Sequence, residues 1–570
     1  MPSQLHWDQE TDLLVMGAGA AGMTTALVAA LEGLKPLILE KSTQVGGTAA
    51  TSAGTIWIPG NRQSSEAGFS DSAKAAARYM DGLIGAPDHS GLRTAYLATG
   101  PEAVDYLHRK SAVQFVPSGK HPDYRDMSGA AVSGRALAPT LFDGRLLGKD
   151  FERVRPPIPE FLVLGGMMAG KEDIPRLIHR FKSVANFVYA GRLFVRYLSD
   201  RLRYSRGTRV VMGNALVSRL FYSLKQNQVP VLFEAQVKEL VHEGAHVVGA
   251  VVEVAGQTRR IRSRHGVVIA TGGYGHNKRL RQQFMPRPTP PLSVACPSNT
   301  GDGIELGLRQ GGTVAPETQG PGAFWTPVSV TRRADGSDGV YPHLSLDRAK
   351  PGLIAVNGAG QRFVNEAHSY HDFVQAMYAS QSSAPTLPAY LVCETSFVTR
   401  YGLGNVHPGT TDLGRFEREG YLVTAPTLQA LAGKLGLDPA ALAATVVRYN
   451  GFARNGKDLD FGKGDTELNR FNGDPAQQPN PCLKPLGDGP FVAVAVWPAE
   501  IGTSTGLQTN ADGQVLDAQG QPLPGLYACG NDMASIMLGT YPGPGTTLGP
   551  ALTFGYRVAM HAAGKPCPAA

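Results

Sequence analysis

The feature that most restricts this chain lies near its start. Asp12-Leu13-Leu14-Val15-Met16 reads as a buried strand running without a break into Gly17-Ala18-Gly19-Ala20-Ala21-Gly22. Ala21 to Leu31 reads as an Ala- and Leu-rich helix, and a second strand, Pro36 to Leu39, ends in Glu40. Each part has a physical task in a dinucleotide site. Gly17 permits the tight turn, Gly19 lets the backbone approach a pyrophosphate, and Gly22 lets helix and strand pack closely. The helix N-terminus faces the phosphate charge, and Glu40 can accept from ribose hydroxyls. A glycine-rich turn with no ligand would need neither the helix directly behind it nor an acid at the end of the next strand.

Further glycine turns lie far along the chain. Val267 to Ile269 is a strand ending in Ala270-Thr271-Gly272-Gly273, and Pro230 to Phe233 and Gln236 to Val252 read as hairpin strands before it. Ser298 to Gly303 opens a helix, Gly525 to Asn531 is a strand entering a glycine turn, and Gly549 to Gly555 begins a last helix. The dinucleotide domain is therefore expected to be discontinuous, with another domain inserted. The 570 residues suffice for two domains and a large core. A count of 69 Gly and 41 Pro suits many tight turns and close backbone-to-cofactor contacts.

The segment Tyr541-Pro542-Gly543-Pro544-Gly545 carries the chemistry at the other end. Proline and glycine hold the backbone in a fixed shape, so a phenol hydroxyl and a glycine amide can point at one carbonyl oxygen. Such a two-donor clamp can stabilise an enolate. Other chemistries have less support. The five cysteines are widely spaced with no CxxC pair, which points to neither zinc nor a redox dithiol and fits a reducing cytoplasm. No stretch is long and apolar enough to read as a spanning helix, and the first apolar run is too short for a signal sequence. No second GxGxxG unit for a nicotinamide is evident, so hydride from NAD(P)H is not the expected electron source.

These motifs, with Lys41-Ser42-Thr43-Gln44-Val45-Gly46-Gly47-Thr48, resemble the succinate dehydrogenase/fumarate reductase flavoprotein superfamily. The resemblance implies an α/β fold: a discontinuous, Rossmann-like FAD-binding domain of glutathione-reductase type with an inserted α+β catalytic domain. The expected borders are 1–325 and 495–570 for the two flavin parts and 326–494 for the catalytic domain. The candidate cofactor set is Gly17, Gly19, Ala20, Ala21, Gly22, Glu40, Lys41, Gly47, Thr48, Val237, Gly272, Asp302, Gly530, Asn531 and Leu548. Covalent members carry histidine near the place of Thr48 and Ala49, so non-covalent FAD is implied here.

Over nearly the whole chain the sequence is more similar to the 3-ketosteroid Δ1-dehydrogenases. The match rests on Thr55-Ile56-Trp57-Ile58-Pro59, His121-Pro122-Asp123-Tyr124, Pro351 to Asn357, Arg362 to Glu366, Tyr370, and Gly530 through Gly545. The similarity implies that Tyr541 and the Gly545 amide bind the C3 carbonyl oxygen, Tyr370 takes the C2 proton, Tyr124 eases ionisation of Tyr370, and hydride from C1 passes to flavin N5. It also implies an external electron acceptor, quinone-like or a carrier protein. Gly539 departs from the family pattern, where histidine is common. Two alternatives stay open: a 3-oxo-5α-steroid Δ4-dehydrogenase, and a catalytically inactive, membrane-associated flavin-binding protein. No convincing arginine/histidine set for a dicarboxylate is seen, which disfavours a fumarate-reductase-like activity.

The net charge of +7 is local. Ten basic and three acidic residues between Lys171 and Arg209 account for all of it, so a general nucleic-acid-binding surface is not indicated. These residues belong to an insertion, 167–226, that shorter family members lack. Ile174, Leu177, Ile178, Phe181, Val184, Phe187 and Val188 recur at helical spacing and predict one amphipathic helix, with a second around Leu193 to Leu202. One reading packs the pair over the domain edge with a solvated basic face. The other lays it on an anionic membrane beside the entrance for bulky sterols such as cholest-4-en-3-one. The corresponding location is cytoplasmic, or peripheral at the inner face of the cell membrane.

Overall fold

The computed structural model describes residues 6–170, 172–314, 322–333, 335–344 and 347–568. Lys171, one of the basic residues of the insert, lies outside them.

The strand Leu13–Met16 is buried along its whole length, as an unbroken apolar run in the middle of a parallel sheet should be. It pairs in parallel with Pro36–Glu40 on one side and Val267–Ile269 on the other. Val267–Ile269 pairs in turn with Pro522–Ala528, matching Val267 to Leu526 and Ile269 to Ala528. Val231–Phe233 closes one edge of this six-stranded sheet and Gln514–Leu516 the other. Residues from both ends of the sequence thus share one sheet.

The helix Ala20–Leu31 begins at Gly19 without a side-chain cap. It packs against the C-terminal helix Leu548–Ala562, where a Cβ at Gly555 would lie 2.9 Å from Ala21 O. A single apolar core joins these elements.

Beside this sheet stands a smaller one of Gln9–Thr11, Gln257–Ser263, His246–Val254 and Ala235–Glu243. Here the structure corrects the expected hairpin. Val231–Phe233 belongs to the large sheet, in parallel with Ile38–Glu40, whereas the hairpin partner of Ala235–Glu243 is His246–Val254. Glu234, at φ +54°, makes the corner between the two sheets.

A third, antiparallel sheet runs in the order Asp338–Pro342, Ala323–Arg332, Phe491–Thr503, Ala389–Glu394, Leu353–Val356. The expected borders at 325/326 and 494/495 fall inside its strands Ala323–Arg332 and Phe491–Thr503. The long strand Phe491–Thr503 carries the chain from this sheet back towards the first.

The insert also differs from expectation. Its apolar spacing does not form one continuous helix. A short helix Asp173–Ile178 stops, and a second, Val184–Arg201, restarts with Ser183 as N-cap, its hydroxyl accepting from the Asn186 amide at 3.1 Å. Arg209 and Tyr189 both hold the Asp173 carboxylate. The apolar stripe remains outside: Phe181 is 78% exposed, Val184 80% and Leu202 85%. Among the described residues, no helix is long and apolar enough to cross a membrane.

Candidate active site

One continuous cavity runs from the glycine turn of the first strand to the tyrosines of the C-terminal segment. All the candidate cofactor residues border it except Gly22, which lies behind the wall. The glycines differ in what they do. Gly17 has φ +102°, and a Cβ there would lie 2.3 Å from Ala270 O, so it joins the turn to the neighbouring strand end. A Cβ at Gly22 would lie 2.0 Å from Gly17 O, the contact that lets helix and strand close together. A Cβ at Gly19 would meet nothing within 4 Å and would project into open space. Backbone at that position is free to approach a ligand.

The remaining cofactor candidates are braced from behind. The Glu40 carboxylate accepts from the Ala18 amide at 2.9 Å and the Ser42 amide at 2.8 Å, tying the turn to the end of the second strand. Lys41 pairs with Asp302 at 2.8 Å. Thr48 Oγ1 accepts from the Cys296 amide at 2.9 Å and the Asn299 side-chain amide at 3.0 Å. Gly272 donates its N–H to Asp532, a residue not singled out from the sequence although it adjoins Asn531. Asp532 is fully buried and also accepts from the Thr271 hydroxyl at 2.9 Å; burial pushes its carboxyl up to about 6. Val237, Gly530 and Asn531 border the same cavity. Leu548 opens the last helix, whose N-terminus has no side-chain cap. Open approach at Gly19, a helix start behind it and a second uncapped helix start at Leu548 fit a long, doubly anionic dinucleotide.

At the far end the three tyrosines come together. The Tyr124 hydroxyl donates to Tyr370 Oη at 3.2 Å. The Tyr541 ring stacks on Tyr124, with centroids 5.6 Å apart and planes at 10°, and meets Tyr370 edge-on at 5.3 Å. Three residues from distant parts of the chain form one cluster.

Local structure explains how each is held. Tyr370 is the first residue of the helix Tyr370–Gln381, capped by Ser369, whose hydroxyl accepts from the Asp372 amide at 3.1 Å. Arg125, next to Tyr124, pairs with Asp372 at 2.8 Å and pins the two tyrosine-bearing segments to each other. The Pro542 carbonyl accepts from the Tyr124 amide at 2.8 Å and the Tyr79 hydroxyl at 2.7 Å. A Cβ at Gly543 would lie 2.6 Å from Trp57 Nε1, the atom that donates to Asp123 at 2.8 Å. Asp123 is itself held by Arg135. Gly545 has φ +95°, and a Cβ there would clash with Thr55 O at 2.4 Å, so only glycine fits. Among the described residues the Gly545 N–H finds no acceptor, and the residue borders the cavity. Tyr79 and Trp57 brace the Tyr541–Gly545 segment. Tyr79 was not legible as such because its role is set only by the approach of Pro542, 463 positions away.

Burial dominates the protonation of the cluster. It pushes Tyr541 and Tyr370 well above the ordinary phenol range, with Coulombic repulsion between the phenols adding to it. Tyr124 is raised by the same cause. A phenol so displaced keeps its proton and remains a hydrogen-bond donor, which is what a carbonyl clamp needs. Neighbouring positive charge from Arg348 acts the other way on Tyr124 and Tyr370. His371 lies against Tyr541 with centroids 5.6 Å apart, accepts from the Trp325 amide at 3.2 Å, and is lowered by burial to about 4, so it is neutral at ordinary pH.

Comparison with known proteins bears on both halves of this cavity. Residues 12–548 match the FAD binding domain family. A 3-oxosteroid 1-dehydrogenase of Mycolicibacterium smegmatis is 34% identical, covering 97% of each chain. The chain belongs to the family of FAD-dependent 3-oxosteroid 1-dehydrogenases and their relatives. A 4-oxocyclohex-2-ene-1-carboxylate 5-dehydrogenase of Sinomonas cyclohexanicum is 37% identical over 96% of this chain and 92% of that protein. Among solved structures, the 3-ketosteroid Δ1-dehydrogenase of Sterolibacterium denitrificans in complex with 1,4-androstadiene-3,17-dione is 35% identical, with a TM-score of 0.89. It covers 98% of this chain and is itself covered completely. FAD is the cofactor for which the matched family is named, and the arrangement of the glycine turns accommodates it.

The two glycines of the turn are expected to fail differently on substitution by alanine. Gly22→Ala forces backbone apart and should lower folding stability by about 1–3 kcal/mol, read by thermal unfolding of the flavin-stripped protein. Gly19→Ala should leave that unfolding curve in place and lower FAD affinity, read by titration of the stripped protein with FAD.

Proposed function

We propose that this protein is an FAD-dependent 3-ketosteroid Δ1-dehydrogenase, with the flavin held by a two-part domain, 1–325 and 495–570, of Rossmann-like, glutathione-reductase type and the chemistry assisted by an inserted region, 326–494. The observation that carries the reading is the cluster of Tyr124, Tyr370 and Tyr541 at the end of the dinucleotide cavity, with the unpartnered Gly545 N–H beside it.

The division of labour follows from the chemistry of a ring ketone. Its C1–H is unactivated until C2 carries negative charge conjugated with the C3 carbonyl. Tyr541 and the Gly545 N–H donate to that oxygen and hold the charge as it develops, an effect of roughly 3–4 kcal/mol for a good donor in comparable oxyanion sites. Tyr370 takes the C2 proton. Tyr124, with its hydroxyl 3.2 Å from Tyr370 Oη, can donate to that oxygen once it carries charge. Burial excludes water from this exchange. FAD, when bound, supplies the acceptor for the hydride leaving C1. The electrons then pass to an external acceptor, quinone-like or a carrier protein.

Substrate class is read from the cavity wall beyond the tyrosines. Ile158, Phe161, Met212, Val294, Pro342, Leu344 and Ile501 supply apolar surface. Of the lining residues, Lys41 is engaged by Asp302, and His121 lies against Phe471 at 5.3 Å. A cyclohexane carboxylate, the kind of molecule named for the Sinomonas relative, calls for a free cation facing its carboxylate. An extended apolar wall suits the body of a steroid.

For the insert we favour the membrane reading over the packed one. Phe187, Val195 and Leu198 are exposed on the same helix as Arg192 and Arg201, and Lys182 and Arg203 flank it. Exposed apolar and basic side chains together suit an anionic lipid surface. A cytoplasmic protein resting on the inner face of the membrane would take sterol-type substrates such as cholest-4-en-3-one from the bilayer.

Tyr541→Phe should lower turnover of a Δ4-3-ketosteroid by roughly a hundredfold or more. Tyr370→Phe should abolish turnover while steroid binding persists; near-normal turnover in that variant would refute the base assignment. Because burial raises Tyr370, flavin reduction in the wild type should speed up as pH rises, approaching tenfold per unit below that group's pKa. Product mass and the position of the new double bond separate Δ1 from Δ4 chemistry. Co-sedimentation with anionic liposomes at low salt should pellet the protein. It should be lost when the lipid is zwitterionic or when Phe181, Phe187 and Leu198 are replaced by serine.

A further inference from the structure

The loop that delivers Tyr370 is held by a buried guanidinium. Arg348 is 1% exposed. Its Nε donates to His343 O at 2.7 Å and its Nη2 to Leu344 O; Nη1 donates to Glu366 O at 2.8 Å and His368 O at 3.3 Å. The first two carbonyls belong to the segment that brings Pro342 and Leu344 to the cavity wall. The other two belong to the turn that runs directly into Ser369 and Tyr370. One side chain therefore ties the substrate wall to the residue read as the base.

Asp347, Glu366 and Asp372 act on the Arg348 charge through space, and the guanidinium lies over the Phe373 ring at 4.8 Å. Among the described residues it forms no ion pair, because its donors all go to neutral carbonyls. Of the nearby carboxylates, Glu366 pairs with Arg362 at 2.8 Å and Lys463 at 3.4 Å and Asp372 with Arg125 at 2.8 Å, while Asp347 meets the His343 ring at 2.6 Å and accepts from the Arg348 amide at 2.8 Å. The groups facing Tyr370 can be taken element by element. Its own helix presents His371, neutral at ordinary pH, and Asp372, balanced by Arg125. The preceding turn presents His368, lowered chiefly by burial. The 121–125 segment presents Tyr124, backed by Tyr79, and the C-terminal segment presents Tyr541. Among these groups Arg348 acts on both Tyr370 and Tyr124.

We propose that Arg348 is a positioning residue for proton abstraction: it fixes the loop that carries Tyr370 and adds a buried positive charge to the surroundings of the Tyr370–Tyr124 pair. The inference rests on the reading of Tyr370 as that base. Arg348 exchanges no proton itself. The C2 proton passes to the phenolate oxygen of Tyr370, the electron pair of the broken C–H bond enters the C2–C3 bond, and the carbonyl electrons move onto the oxygen held by Tyr541 and Gly545.

The test uses the full-length, flavin-loaded enzyme with androst-4-ene-3,17-dione, following anaerobic flavin bleaching by stopped flow between pH 6 and 10. In Arg348→Gln the pH-dependent rise should move to higher pH by about one unit or more, which is at least about tenfold in rate at a fixed pH on that rise. Steroid affinity, read from perturbation of the flavin spectrum, should hold within a few-fold. An unmoved profile would overturn the inference, since a loop staple with no electrostatic role alters stability and flavin content without displacing a titration. Should the glutamine variant not accumulate as folded protein, Arg348→Lys decides. It loses the forked donors, so a slower rate with steroid affinity held supports the proposal, and a wild-type rate overturns it. Tyr370→Phe separates the two readings. Normal bleaching in that variant would remove the base assignment and this inference with it. A dead Tyr370→Phe beside an Arg348→Gln with an unmoved profile would remove the Arg348 inference alone.

Discussion

The pairing of Val267–Ile269 between Leu13–Met16 and Leu526–Ala528 is the constraint on which the rest of the molecule depends. All three strands run in parallel, so their C-terminal ends open on one side of the sheet. The Gly17 turn, the Gly272–Gly273 turn and the Gly530–Asn531 turn meet there. Segments more than 500 positions apart contribute to one wall, and a slip of one residue in either pairing would move every side chain of the strand to the opposite face. The same register carries the chain onward through Asn531 and Met537 to Tyr541, so cofactor and carbonyl clamp are placed by one piece of backbone.

Beyond the sheet, the site is governed by a conflict over protons. The cavity must exclude water for the clamp to act strongly on a developing oxyanion. Exclusion of water keeps Tyr541 protonated, as its task requires, and by the same effect resists ionisation of Tyr370. The structure answers with position and charge rather than with exposure. Tyr124 sits 3.2 Å from Tyr370 Oη, Arg125 pairs with Asp372, and the buried Arg348 guanidinium binds the turn before Tyr370. A solvent-exposed base would ionise more readily but would wet the clamp.

The parts of this arrangement that could be read from the sequence are those whose physics is local. The Gly17–Gly22 turn, the strands on either side of it, the last helix and the clamp segment each carry their signal within a few residues. The pairing of the three tyrosines was legible only through family resemblance, because nothing near Tyr124 or Tyr370 states that they meet. The misread elements share a cause as well. Pro230–Phe233 and Gln236–Val252 both have strand character, and the choice of partner was decided by the corner at Glu234 and by the free edge of Pro36–Glu40, neither of which leaves a local trace. In the insert, helical spacing continued through His179–Lys182, yet the first helix ends at Ile178 and a second restarts behind the Ser183 cap, with Asp173 tied to Arg209 and Tyr189. Arg348, Asp532 and Tyr79 act on backbone carbonyls or amides brought in from elsewhere, so residue type alone gave them no distinction from other buried polar groups.

The shape of the cavity bears on why a ring ketone with a large apolar body fits this protein better than a small anionic one. Recognition at the reacting end is supplied by two donors on one oxygen, which any cyclic ketone could satisfy. Discrimination must then come from the wall. A carboxylate moved into apolar surroundings without a cation loses hydration that nothing repays, whereas a steroid leaves water for the same surface at a gain proportional to its apolar area. On the proposed function, the clamp would select the functional group, and the apolar lining of Ile158, Phe161, Met212, Pro342 and Leu344 the body that carries it. Two of those wall residues, Pro342 and Leu344, sit on the segment that Arg348 binds to the turn before Tyr370. The apolar wall and the residue proposed as the base are in this way one mechanical unit.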